Sequence, residues 1–205
     1  MAESNGIELV LASASFARRN LLTSAGVDFR VQPSSIDEQA IRLELRHGGD
    51  ACSPARIAEQ LAWAKVRQVS GENSGTLVIG ADQVLALGAE LLFKPRDMAE
   101  ARHMLLSLRG RTHHLHTTVA LATAGEVLWS CSETAKLTMR EFSPAFISDY
   151  LARFGTRVAN SPGGYEIEAL GIQLFERIEG DYFGILGLPL LPLLAELRAR
   201  GVLAV

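Results

Sequence analysis

Apolar residues recur along the chain in two periods, and the alternation between them predicts the elements. Ile7 to Ala12 is a short apolar run ending at the small polar residues Ser13 and Ser15, and Arg18 to Ala25 then reads as a helix stopped by Gly26. Asp28 to Gln32 reads as a second strand, followed by a loop containing Asp37 and Glu38. Ser53-Pro54 opens an amphipathic helix to Val69, because proline suits the first helical position. Thr76 to Gly80 predicts a buried strand that delivers Ala81-Asp82-Gln83 at its end. After Val84 to Phe93, the residues Met98 to Leu108 read as a helix ended by Gly110. Arg111 to Ala122 and Glu126 to Met139 read as neighbouring strands joined through Ala124-Gly125. Pro144 to Arg153 is a helix, Ser161-Pro162-Gly163-Gly164 a loop, Gln173 to Ile178 a strand, and Pro189 to Arg200 a last helix. Alternating strands and helices predict an α/β fold. No internal repeat, low-complexity tract or linker interrupts the pattern, so residues 1–205 read as a single domain.

Composition narrows the class. The 205 residues are 48% hydrophobic, enough for one sizeable core. Twenty Lys+Arg against 23 Asp+Glu leave a net charge of −3, which argues against binding duplex nucleic acid through bulk charge. The two cysteines, Cys52 and Cys131, have neither disulfide-scaffold nor zinc-site spacing. Met1 to Gly6 carries Glu3 and no basic segment before an apolar stretch, so no secretory signal is expected. The most apolar region, Tyr182 to Ala195, is broken by Gly184, Gly187, Pro189 and Pro192, and falls short of the roughly 20 residues of a membrane span. A soluble cytoplasmic protein is the expectation.

Three places could carry chemistry. Asp82 follows a buried strand, where open α/β sheets place their sites, and reads equally as a turn former. Lys65 is the one charged group on the arc formed by Ile57, Ala58, Leu61, Ala62, Val66 and Val69. Snorkelling, with the methylene stem on the core and the ammonium in water, is the favoured reading of it. Ser13, Ser15, Arg18 and Arg19 lie at a strand-to-helix junction, where free N–H groups and cations favour a phosphate; an N-cap followed by surface arginines accounts for them nearly as well. His113, His114 and His116 lack matching acidic residues for a metal, and only His114 and His116 share a strand face. Lys94-Pro95 alone is an ordinary strand exit. Neither a dinucleotide fingerprint nor a Walker A loop is present, so a nucleotide site would be built from dispersed side chains.

The ordered set of motifs resembles the Maf family of nucleoside triphosphate pyrophosphatases. Leu11-Ala12-Ser13-Ala14-Ser15-Phe16-Ala17-Arg18-Arg19, Gly80-Ala81-Asp82-Gln83-Val84 and Lys94-Pro95-Arg96-Asp97 match its opening, acidic and lysine-proline motifs in order and spacing. Leu61 to Lys65, Leu108-Arg109-Gly110 with His114, Gly171 to Gly180 and Gly187-Leu188-Pro189-Leu190 extend the match over nearly the whole chain. The resemblance implies an inosine triphosphate pyrophosphatase-like (Maf/Ham1) fold: a mixed twisted sheet in two lobes with a central cleft, often a homodimer. It implies cleavage of a nucleoside triphosphate to monophosphate and pyrophosphate with a divalent cation such as Mg2+, keeping non-standard nucleotides from polymerases. By motif position, Asp82 is the catalytic acidic position, which orients or deprotonates the attacking water, and Glu38 a second acidic position for metal or water. Their duties are interchangeable at this level, both being ionised oxygen acceptors. Ser13, Arg18, Lys65 and Lys94 fall on positions that meet the triphosphate.

Three specificity positions read Ala17, Gln83 and Glu168. The dTTP/UTP-acting branch has Arg, Thr and Gln there, whereas Gln83 and Glu168, with Leu174-Phe175-Glu176-Arg177, resemble the branch acting on 7-methyl-GTP. A carboxylate such as Glu168 can accept from guanine N1 and amino donors or complement a methylated, cationic base. Ala17 departs from that branch, which carries Trp, a face for stacking; the adjacent Phe16 reads as core. The alternatives are a dTTP/UTP pyrophosphatase and, outside enzymes, a regulator of septum formation. Retention of Glu38, Lys65, Asp82 and Lys94 together argues against the latter.

Overall fold

A computed structural model describes residues 7–47, 53–159 and 162–204. The amino-terminal segment through Gly6, Cys52 and Ser161 lie outside the described residues. The apolar run at the start forms β1 (Glu8–Leu11), which pairs in parallel with β2 (Arg30–Val31) and with β3 (Thr76–Leu87). Three helices make the crossovers: α1 (Phe16–Ser24) between β1 and β2, then α2 (Glu38–His47) and α3 (Pro54–Gly71) between β2 and β3. Parallel strands require such crossovers. Next come β4 (Glu90–Leu92), antiparallel to the end of β3, α4 (Met98–Leu108), β5 (Thr112–Thr123) and β6 (Glu126–Met139). Then follow α5 (Pro144–Phe154), β7 (Phe175–Glu179) antiparallel to β6, α6 (Tyr182–Ile185) and α7 (Leu190–Ala199). The strand order is β2-β1-β3-β5-β6-β7 with β4 on β3, so the sheet is mixed, as the family resemblance implies. Ala124 and Gly125 join β5 to β6 at φ 49° and 80°, the left-handed pair of a tight hairpin turn.

Among the described residues the chain divides into two compact units. The first holds the residues through Gln83, Thr117–Glu133 and those from Asp181 onward. Its strands alternate between two apolar faces. Leu9, Leu11, Leu77, Ile79 and Ala81 pack with Leu22, Leu193 and Leu197, whereas Val10, Ala12 and Val78 pack with Ala62, Val66 and Val69 of α3. Helix α3 sits so close to β3 that a Cβ on Gly80 would lie 2.5 Å from Val66 Cγ1. The same alternation sends Asp82 to the α3 face and Gln83 to the opposite one.

The second unit comprises Val84–His116 and Thr134–Gly180. Helices α4 and α5 pack together there with the 3-10 turns Gly155–Ala159 and Pro162–Gly164, burying Leu105, Leu108, Ile147, Tyr150 and Phe154. His113 lies fully buried against Tyr165 and Phe175, its Nε2 2.7 Å from the Tyr165 hydroxyl.

Two expectations need correction. The segment after β2 is not a loop throughout, because Glu38 is the first residue of α2; the Asp37 carboxylate accepts from the Ala40 N–H at 2.9 Å, as a helix-start cap does. Asp82 does not end its strand, because β3 continues through the buried Val84 to Leu87, which β4 covers.

Candidate functional site

Three of the motif side chains, Glu38, Lys65 and Asp82, meet within the first unit around the ammonium of Lys65. Lys65 Nζ lies 2.5 Å from Asp82 Oδ1 and 2.8 Å from Glu38 Oε1. The close approach of α3 to β3 over Gly80 sets the first contact, and the packing of α2 on α3 brings the second. Lys65 is only 8% exposed and Asp82 4%, so snorkelling and turn formation are both overturned: the ammonium ends on two carboxylates, and Asp82 stands inside a strand. Glu38 is half-buried, and its Oε2 accepts from Arg42 Nη2 at 2.7 Å.

Burial pushes the Asp82 carboxyl above the usual aspartate range, against the opposing pull of the Lys65 and Arg18 charges. Burial acts in the same sense on Glu38, but Lys65 and Arg42 bring it net below the usual range. The two acids are therefore poised apart, a pattern common where carboxylates take different roles. Asp82 Oδ2 is buried with no hydrogen-bond partner among the described residues. A buried carboxylate is tolerated only beside a countercharge, so removing Lys65 alone would cost on the order of 3–5 kcal/mol.

The strand-to-helix junction adds a second cation. Ser15 caps α1, accepting from the Arg18 N–H at 3.4 Å, so the N-cap reading is right for Ser15. It is not right for Arg18, whose Nη1 donates to the buried Ser13 Oγ at 3.1 Å and whose Nε donates to Gly187 O at 2.8 Å. Burial lowers the Arg18 pKa, while the charges of Asp82 and Glu38 raise it, which places the guanidinium in their electrostatic reach. Arg19 is exposed and lies over the Phe16 ring, 5.9 Å from its centroid. Phe16 is 68% exposed, which overturns its reading as core.

The chain matches the Maf family model, described as Maf-like protein, over residues 8–200. The chain belongs to the Maf family. A 7-methyl-GTP pyrophosphatase of Mesorhizobium japonicum is 48% identical over 96% of this chain and 98% of its own length. A protein of the same name from Brucella abortus is 47% identical over 94% and 96%. A nucleoside triphosphate pyrophosphatase of Rhodopseudomonas palustris is 45% identical over 96% and 95%. The likeness to a solved HAM1 protein from Coxiella burnetii is slight, with a TM-score of 0.39 and 16% identity over 65% of this chain and 73% of that one.

In this Maf chain the remaining motif residues lie elsewhere. Lys94 and Glu168 are exposed residues of the second unit, Glu168 within electrostatic reach of Arg157. Ala17 is half-buried on α1. Gln83 points away from Asp82, with its amide nitrogen on Thr117 Oγ1 and on the carbonyls of Gly184 and Ile185. His114 and His116 do share a face, their rings 6.1 Å apart. No group of three or more His, Cys, Asp or Glu with metal-site geometry occurs among the described residues, and Asp82 and Glu38 are the two carboxylates at this site that could hold a cation. That donor set fits Mg2+, which is commonly held by one or two carboxylates with phosphate oxygens and waters completing the shell. The orphaned Asp82 Oδ2 is the oxygen best suited to it. Gly187 and Thr117 gained no role from sequence, although Gly187 stands in a matched motif.

Proposed function

We propose that this chain hydrolyses nucleoside triphosphates between the α- and β-phosphates, releasing a monophosphate and pyrophosphate. The observation that carries the reading is the buried Asp82 carboxylate, with one oxygen on Lys65 and the other without a partner among the described residues, in reach of Arg18. Family membership and the names of the relatives support it.

Arg18, with Ser13 beside it, and Lys65 neutralise charge on the phosphate oxygens, the main demand of a phosphoryl-type displacement. Asp82 orients the attacking water and takes its proton as the bridging P–O bond breaks. Its raised pKa makes it a better base than an exposed aspartate. A divalent cation, held when bound by Asp82 and Glu38, supplies further neutralisation of the leaving pyrophosphate. Glu38, with the lower pKa, stays ionised and fixes the Lys65 ammonium. Lys94 is assigned to the triphosphate, and Glu168 to the base, on their motif positions.

The base is of the guanine type, with 7-methyl-GTP the leading candidate. Glu168 supports this, as do the relatives named 7-methyl-GTP pyrophosphatase. The role is removal of modified nucleotides in the cytoplasm by one Maf-like domain. No described helix is long and apolar enough to cross a membrane. The test is pyrophosphate release from 7-methyl-GTP, GTP, dTTP, UTP and CTP with Mg2+. Release from 7-methyl-GTP above the others, with the preference altered by Glu168→Gln, is the expected result. Preference for dTTP or UTP would keep the reaction and remove the base assignment; no release from any would remove both.

A further inference from the structure

Arg18 takes its direction from a main-chain carbonyl. Its Nε–H donates to Gly187 O at 2.8 Å, and Gly187 sits at φ 99°, a conformation that side-chain-bearing residues rarely adopt. Gly187 immediately follows the turn of α6, and two groups from the sheet grip that turn. Gln83 Nε2 donates to Gly184 O at 3.1 Å and to Ile185 O at 3.0 Å, and lies 2.9 Å from Thr117 Oγ1. The Thr117 hydroxyl donates to the same Gly184 O at 2.9 Å, and the Gly187 N–H reaches it at 3.0 Å. One carbonyl thus collects donors from a side-chain amide, a hydroxyl and the main chain. Three acceptors around Nε2 fix the orientation of the Gln83 amide.

We propose that Gln83 is a positioning residue for the phosphate site: through Gly184, Ile185 and Gly187 it fixes the carbonyl that aims the Arg18 guanidinium. The proposal rests on Arg18 meeting the triphosphate. Gln83 follows Asp82 directly, so one dipeptide sends a carboxylate to one face of β3 and the clasp for a cation to the other. In this chain the position acts on phosphate affinity, because its amide donors are committed to Gly184 O, Ile185 O and Thr117 Oγ1.

The experiment uses the full chain carrying Gln83→Leu or Thr117→Val. Hydrogen exchange of the Arg18 Nε–H is followed by NMR in the free protein, with the Arg140 Nε–H, bonded to Gln173 O, as the internal control. Binding of inorganic tripolyphosphate and steady-state kinetics on the triphosphate panel complete it. Each variant is expected to speed exchange at Arg18 about 5-fold, the size of one hydrogen bond, and to leave Arg140 unchanged. Tripolyphosphate affinity falls by a similar factor. KM rises equally for every base while kcat changes less, and Gln83→Leu adds nothing in an Arg18→Lys background. Unchanged Arg18 exchange in both variants overturns the proposal, as does an altered base preference with tripolyphosphate affinity intact. Should Gln83→Leu fail to fold, Thr117→Val carries the same comparison. A wild-type chain that neither binds tripolyphosphate nor releases pyrophosphate would remove the phosphate reading of the site, while the exchange rates still decide whether Gln83 aims Arg18.

Discussion

Lys65 and Asp82 bury opposite charges 2.5 Å apart in the first unit, whereas His113 and Tyr165 bury a pair 2.7 Å apart in the second that stays neutral. Both pairs lie inside the fold, and each leaves one polar atom without a hydrogen-bond partner among the described residues, Asp82 Oδ2 and His113 Nδ1. The environments differ in what surrounds the pair. Asp82 has two cations and a second carboxylate in reach; His113 has two aromatic rings, and burial pushes its pKa down to about 4. A fold that needs only stability has no use for a desolvated ion pair, which rarely outperforms apolar packing. The charged cluster is therefore read as chemistry and the neutral one as architecture.

The largest effect should come from Asp82→Asn, which keeps the shape and removes the negative oxygen. Pyrophosphate release should fall by about 10²–10⁴-fold. Thermal stability should change little, since Glu38 still faces the Lys65 ammonium. Activity and melting temperature measured on one preparation check both halves. A parallel loss of both would make the cluster structural and erase the contrast.

Next is the pH dependence of stability set by His113. Its folded pKa lies below the ordinary histidine value of 6.5, so the unfolded chain binds the proton first. The stability from keeping this ring neutral is present above pH 6.5 and is lost as pH falls toward about 4. The shift from 6.5 to about 4 corresponds to roughly 3 kcal/mol at 1.36 kcal/mol per unit. Urea denaturation between pH 7 and 4 should show this slope, and His113→Gln should flatten it.

A third effect of about 1–3 kcal/mol is expected from Gly80→Ala, because overpacking at the β3–α3 contact must shift Val66. The same shift draws Lys65 away from Asp82. Activity should therefore fall with stability here, in contrast to Asp82→Asn, and a variant with unchanged kcat/KM would show that the Lys65–Asp82 distance is not critical.

The cluster was half legible in the sequence. Motif order brought Asp82, Glu38, Lys65 and Arg18 into one list, and the helical arc singled out Lys65, but an arc shows only that a charge faces a core. The partner across that core depends on which face of β3 holds Asp82, and a strand read as ending at Gly80 hides that parity. Glu38 was misplaced in a loop because α2 is short and polar, although Asp37 with Glu38 ahead of Ile41 and Leu45 carries a helix-start signal. The contacts of Gln83 were not legible, since Thr117 and Gly184 lie 34 and 101 positions away. The β5–β6 hairpin and α4 were readable because a local turn and local breakers define them.

The smallest effect tests the neutral network from its far side. The Tyr150 hydroxyl donates to Gly164 O at 3.1 Å, and Gly164 sits at φ 70° beside Gly163 at 84°, so the bond holds a glycine turn against α5. Burial raises the Tyr150 pKa further above the physiological range, so the hydroxyl remains a donor throughout it. Tyr150→Phe removes that donor and keeps the ring on Phe154, with centroids 5.1 Å apart. The cost should be about 1 kcal/mol, that of one hydrogen bond. Urea midpoints should register it, and kcat and KM on the best triphosphate should not move. A raised KM with unchanged stability would instead give the second unit's neutral network a part in binding, and the division between charged chemistry and neutral architecture would have to be redrawn.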